Sequence, residues 1–180
     1  MMPHDWVATV NKLEILSDGA VLANEPMRNH TSFKTGGPVR AYVQPSSREG
    51  LTETVRWLRG QHIPLVIIGA GSNILWSDRP FAGVVLSAER ALNALTFKED
   101  GYVEAGAGVR LSRILKDAKK HKLGGFSFLV GIPGMIGGAV RMNAGTQLGC
   151  MADIVSHVEI LNAEGEIRWR AAEELEFSYR

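Results

Sequence analysis

The sequence predicts an α+β fold shaped around a large ligand, and three observations carry that reading. Helix-period and strand-period segments alternate along 180 residues, with hairpin turns as well as crossover helices between the strands. An apolar run, Pro64-Leu65-Val66-Ile67-Ile68, passes straight into Gly69-Ala70-Gly71-Ser72-Asn73. The stretch from Leu123 to Leu148 holds seven glycines and Pro133 among apolar residues. Glycine costs about 0.5–1 kcal/mol against alanine inside a helix and packs nothing in a strand. Such a stretch is therefore expected to be neither a core helix nor a core strand. Its backbone comes close to something, or exposes N–H groups that a side chain would cover. A large, flat, anionic cofactor has that shape and charge.

Taken in order, residues 5–16 read as a helix, because Trp6, Val10, Leu13 and Leu16 recur at helical spacing. Ser17-Asp18-Gly19 ends it. Asn24 to Gly37 is polar, with Pro26 and a Gly36-Gly37 pair, and reads as a connecting loop. Arg40 to Gln44 reads as a short strand stopped by Pro45. Ser46 to Gln61 reads as a helix with Ser46 and Glu49 as its capping box and Leu51, Val55 and Leu58 as its buried stripe. Residues 64–68 are short, apolar and β-branched, as in a strand buried on both faces. Gly83–Leu86 and Tyr102–Ala105 read as further short strands, and residues 110–121 as a helix with Leu111, Ile114, Leu115 and Ala118 on one face. After the glycine stretch, Ile154–Leu161 and Glu166–Arg170 form a hairpin about the turn Asn162-Ala163-Glu164-Gly165.

Composition narrows the function classes. The chain is 45% hydrophobic, so it can bury a core of ordinary size. Twenty basic residues nearly balance nineteen acidic ones, and a net charge of +1 gives no nucleic-acid surface. The single cysteine, Cys150, leaves no internal disulfide and suits a reducing compartment. The N-terminus lacks the basic-then-apolar order of a secretion signal, and no window approaches the roughly 18 apolar residues of a membrane span. The expectation is a soluble, cytoplasmic protein. The five histidines and one cysteine show no metal-ligand spacing, so no metal is expected.

The Gly69–Asn73 loop has two readings. A row of N–H groups in a glycine turn forms an anion nest, and the Ser72 hydroxyl and Asn73 amide add donors suited to a pyrophosphate. It is equally an ordinary strand-ending turn. A dinucleotide fingerprint requires a third glycine and a helix opening at once, whereas Ile74 follows and Ser77-Asp78-Arg79-Pro80 comes soon after. A P-loop requires Gly-Lys-Ser/Thr, and no lysine is present.

Five segments in a fixed order settle which reading is pursued. They are Asn29-His30-Thr31-Ser32-Phe33-Lys34-Thr35-Gly36-Gly37; Gly69-Ala70-Gly71-Ser72-Asn73-Ile74-Leu75; Glu104-Ala105-Gly106-Ala107-Gly108; Gly131-Ile132-Pro133-Gly134-Met135-Ile136-Gly137-Gly138-Ala139 with Asn143-Ala144-Gly145; and Phe177-Ser178-Tyr179-Arg180. Through them the chain, from about Asn24 to its end, resembles the UDP-N-acetylenolpyruvoylglucosamine reductases, flavoenzymes that complete UDP-N-acetylmuramate in bacterial cell-wall synthesis. The resemblance implies a fold of the vanillyl-alcohol-oxidase (PCMH) type, with two α+β subdomains clamping FAD. The first would be residues 1–67 and the second 68–180. It also implies FAD as cofactor, NADPH as co-substrate and a UDP-sugar enolpyruvyl ether as substrate.

Carried over by position, Gly69, Gly71, Ser72, Asn73 and Ile74 would meet the FAD pyrophosphate region. Gly131, Ile132, Pro133, Gly134, Gly137, Gly138, Ala139, Asn143 and Gly145 would line the rest of the cofactor. Arg180 matches the family's active-site arginine. A guanidinium stays charged and grips a carboxylate through two parallel hydrogen bonds, which suits the charge that hydride addition pushes onto an enolpyruvyl carboxylate. Tyr179 would shape the substrate pocket beside it. Thr146-Gln147-Leu148 depart from the family's usual residues after Asn-Ala-Gly. The family also continues past Tyr-Arg into a segment with a serine proton donor, a late glutamate and most of the substrate domain. The expectation is therefore an FAD-binding portion without that domain. A non-catalytic flavin module and another flavin oxidoreductase of this fold are the alternatives.

Overall fold

The fold begins with a helix that the N-terminal residues cap for themselves. In the computed structural model, which describes residues 4–162 and 164–178, α1 spans Trp6–Ser17. The Asp5 carboxylate accepts from the Val7 and Ala8 N–H groups at its start, and Asp18 ends it in the left-handed region at φ 46°. Then follow β1 (Ala20–Pro26), β2 (Pro38–Gln44), α2 (Arg48–Gly60), β3 (Leu65–Ile68) and β4 (Phe81–Ser87). They make one sheet in the order β1-β2-β4-β3, with β1 antiparallel to β2 and both pairings of β4 parallel. Central β2 and β4 carry alternate residues to two cores. Ala41, Val43 and Val84 join Leu13, Leu58 and Ile63 on one side. Tyr42 and Val85 join Met27, Val39 and Ile68 on the other.

Three expectations change here. The expected loop from Asn24 begins inside β1, whose middle residues are exposed; an edge strand with no buried stripe has no alternation to read. The cap of α2 is Ser47, whose hydroxyl accepts from the Gly50 N–H, rather than Ser46. β3 is an edge strand, so Ile67 is 54% exposed instead of buried on both faces.

The chain forms two compact units, residues 1–92 and 93–180. The first extends past the 67/68 position expected from sequence because β4, far beyond it, sits between β2 and β3. In the second unit, β5 (Leu95–Phe97) and β6 (Val103–Ala105) form a hairpin, followed by α3 (Leu111–Lys120). The glycine stretch contains α4 (Ile136–Arg141), then the two-residue strands β7 (Gly145–Thr146) and β8 (Gly149–Cys150). The hairpin of β9 (His157–Leu161) and β10 (Ile167–Ala171) follows. Its core joins Val109, Leu111 and Ile114 to Phe128, Leu129, Ile136, Ala139, Ala144 and Met151. The glycine stretch is thus half core and half surface. One of its turns is helical despite Gly137 and Gly138, contrary to the expectation that so many glycines exclude a helix.

Candidate cofactor site

In the first unit, the Gly69–Asn73 loop leaves β3 and lies against the 30–37 segment. The Ser32 N–H donates to the Gly71 carbonyl at 3.0 Å, and the Gly37 N–H to the Ser77 carbonyl at 2.9 Å. The Gly36 N–H donates to the Asp78 carboxylate at 3.2 Å. Gly71 sits at φ +64°, and a Cβ there would collide with the His30 carbonyl oxygen. That carbonyl is well anchored. The His30 ring stacks on Tyr42 at 3.7 Å between centroids, and its Nε2 lies 2.9 Å from Glu25 Oε1. Burial raises the Tyr42 phenol above its usual pKa. Around this brace, Gly69 and Ser72 are half-buried, Asn73 is exposed, and Ile74 packs on the second core of the sheet.

In the second unit, residues 134–137 run antiparallel beside 107–111. The Leu111 N–H donates to the Gly134 carbonyl, the Ile136 N–H to the Val109 carbonyl and the Gly137 N–H to the Ala107 carbonyl, at 2.9–3.1 Å. A Cβ on Gly137 would stand 2.8 Å from the Ala107 Cβ, so this glycine lets α4 seat on the preceding loop. A Cβ on Gly145 would stand 2.5 Å from the Gly149 carbonyl oxygen and 2.6 Å from the Cys150 Cβ, so this one admits the β7–β8 pairing. Gly131 and Gly138 are different. Both are exposed, and a Cβ at either meets nothing within 4 Å, although Gly131, at φ 82°, needs a glycine for its backbone and Gly138 does not. Met142, four residues on from Gly138 and on its side of the turn, is 45% exposed, and Val130 beside Gly131 is 66% exposed. Pro133 is exposed as well, Ile132 and Gly134 are half-buried, and Ala139 is core. A bare helical glycine among exposed apolar side chains admits a flat ring against the backbone, so these residues fit FAD.

Asn143, which follows the helix at φ 43°, has both ends of its amide engaged by the chain. Oδ1 accepts from the Ala152 N–H at 3.0 Å and Nδ2 donates to the Ser178 carbonyl at 3.2 Å. Tyr179 and Arg180 lie outside the described residues. The first two sequence segments therefore meet in the first unit, and the third, fourth and start of the fifth meet in the second. Sequence reasoning missed the bracing of Gly71 by His30 and Tyr42. Its signal was the shared presence of Asn29–Gly37 and Gly69–Leu75, which need each other sterically. Among the described residues no group of three or more His, Cys, Asp or Glu side chains is placed to hold a metal, and no helix is long and apolar enough to cross a membrane.

The chain is 42% identical over 95% of its length to a UDP-N-acetylenolpyruvoylglucosamine reductase of Caldanaerobacter subterraneus subsp. tengcongensis. It spans about half the length of the curated relatives it matches, 56–57% in the first two. A crystal structure of that reductase from Thermus caldophilus superposes with a TM-score of 0.70 at 31% identity, covering 90% of this chain and 55% of that one. The 6-hydroxy-D-nicotine oxidase of Arthrobacter nicotinovorans shares the fold alone, with a TM-score of 0.62 at 17% identity over 87% of this chain and 36% of its own. The fold is α+β and is shared with both of these structures. The FAD binding domain family matches residues 39–170, and the chain belongs to that family.

Proposed function

We propose that this chain is the FAD-holding part of a reductase that converts UDP-N-acetylglucosamine enolpyruvate to UDP-N-acetylmuramate with NADPH, a step of peptidoglycan precursor synthesis in the cytoplasm. The observation that carries the reading is the open space over the helical Gly138, in a chain similar over nearly all its length to such reductases. Bound FAD supplies hydride transfer between a nicotinamide and the enolpyruvyl carbon.

The chain's own residues bind and orient. Gly69, Gly71, Ser72 and Asn73 offer donors to the pyrophosphate, with Ile74 as the apolar anchor of their loop. Gly131, Ile132, Pro133, Gly134 and Gly138 line the flavin, while Gly137, Ala139, Asn143 and Gly145 keep that wall in shape. Arg180 grips the enolpyruvyl carboxylate and stabilises the charge that develops on it, a kind of preorganised contact typically worth several kcal/mol in the transition state. Tyr179 shapes the same pocket.

The test is FAD titration of the purified chain, read by visible absorbance and flavin fluorescence. We expect stoichiometric binding by the parent chain. Gly138→Val is expected to lose flavin absorbance while far-UV circular dichroism is retained. A yellow, fully occupied Gly138→Val chain would refute the close-approach argument.

A further inference from the structure

We infer that Asn143 is a positioning residue: it fixes where the chain passes into Tyr179 and Arg180. This rests on the reading of Arg180 given above. Residues 176–178 follow the last turn of the described chain, with Glu176 at φ 46°. Among the described residues, no hydrogen bond other than that from Asn143 Nδ2 to the Ser178 carbonyl reaches this segment. The other end of the amide is on firm ground. Ala152, which donates to Oδ1, sits in a short turn whose Met151 is 3% exposed and donates its N–H to the Ala144 carbonyl at 3.0 Å. The Asn143 N–H donates to the Val140 carbonyl in the last turn of α4, and Asn143 tolerates a left-handed backbone better than most residues.

The amide's orientation follows from its partners. Turned over, it would set NH₂ against an N–H and C=O against a carbonyl. Asn143 therefore links three things within the second unit: the end of the glycine helix, the turn anchored by buried Met151 and the residue directly before Tyr179. Any residue with an acceptor alone would serve the turn and release the segment. An asparagine serves both, because it presents an acceptor and a donor on one planar group.

The discriminating variant is Asn143→Asp. It keeps the acceptor for Ala152 and removes the donor for Ser178. Asn143→Gly, which keeps the left-handed backbone, removes both. Chymotryptic cleavage after Phe177, hydrogen exchange by mass spectrometry and FAD titration are run on the parent, both variants and Arg180→Ala. For Asn143→Asp we expect protection of the Ala152 amide to remain and cleavage after Phe177 to speed up several-fold; Asn143→Gly should lose the Ala152 protection as well. In FAD-loaded protein, the change in flavin absorbance on adding the enolpyruvyl UDP-sugar is expected to fall in Asn143→Asp and in Arg180→Ala alike. An unchanged cleavage rate after Phe177 in both Asn143 variants would overturn the inference. So would a tenfold loss of FAD affinity with that cleavage rate unchanged, since Asn143 would then be a direct cofactor contact and the proposed function would stand. A parent chain that binds no FAD would overturn the proposed function instead, and the cleavage rates would still decide the role of Asn143.

Discussion

Gly71 and Gly138 are alike in sequence, each in a short glycine- and alanine-containing motif, yet they answer to different neighbours. Gly71 has a left-handed backbone, and its missing side chain makes room for the carbonyl of His30, which is held from behind by Tyr42 and Glu25. Gly138 sits in the middle of a six-residue helix with open space above it. Inside a helix, alanine would be the better residue by up to about 1 kcal/mol. The first glycine is explained by the fold alone. No atom of the chain fills the place of the second one's side chain, which leaves its backbone open to a ligand. A motif match treats both alike; the distance from an imagined Cβ to the nearest atom shows that the protein itself fills the side-chain place of Gly71 and leaves that of Gly138 open.

Substitutions that add one carbon test this division. The largest effect is expected from Gly71→Ala, where a Cβ meets backbone and the backbone conformation is unfavourable too. We expect a loss of about 3 kcal/mol in the first unit, seen in thermal unfolding followed by tryptophan fluorescence. A Gly71→Ala chain of parental stability would show that the His30 carbonyl yields easily. Next comes Gly145→Ala, which must open the β7–β8 pair at a cost of about 2 kcal/mol. Faster reaction of Cys150 with a thiol reagent would report that opening, and an unchanged rate would contradict it. The smallest and most telling change is Gly138→Ala. Stability should rise by about 0.5–1 kcal/mol while FAD affinity falls. If stability fell together with affinity, Gly138 would belong with Gly71.

Sequence patterns revealed the elements that bury a regular stripe. The α3 stripe of Leu111, Ile114 and Ala118 is buried as the 3.6-residue period requires, and so are Leu51, Val55 and Leu58 of α2. The β5 strand and the outer part of β1 were invisible because they are short or exposed, and a strand without a buried face has no alternation to detect. The order of the five segments pointed to the family, because such an order is specific even where each motif is not. The division of labour among the glycines could not be read. A glycine in a sequence records that no side chain is present, and says nothing of whether protein or solvent occupies its place. The double commitment of Asn143 was hidden for a related reason, since both partners lie far along the chain or across a turn.

The placement of β4 between β2 and β3 has a consequence for how the chain assembles during synthesis. β1 and β2 are neighbours in sequence and can pair as a hairpin as soon as both are made. β3 cannot. Both of its strand edges stay without a partner until residues 81–87 emerge, and only then does β4 dock beside β2 and take β3 along its other side. The first unit is therefore expected to close its sheet in one late event, after the Gly69 loop has already been synthesised, so that the loop is fastened from both sides at once.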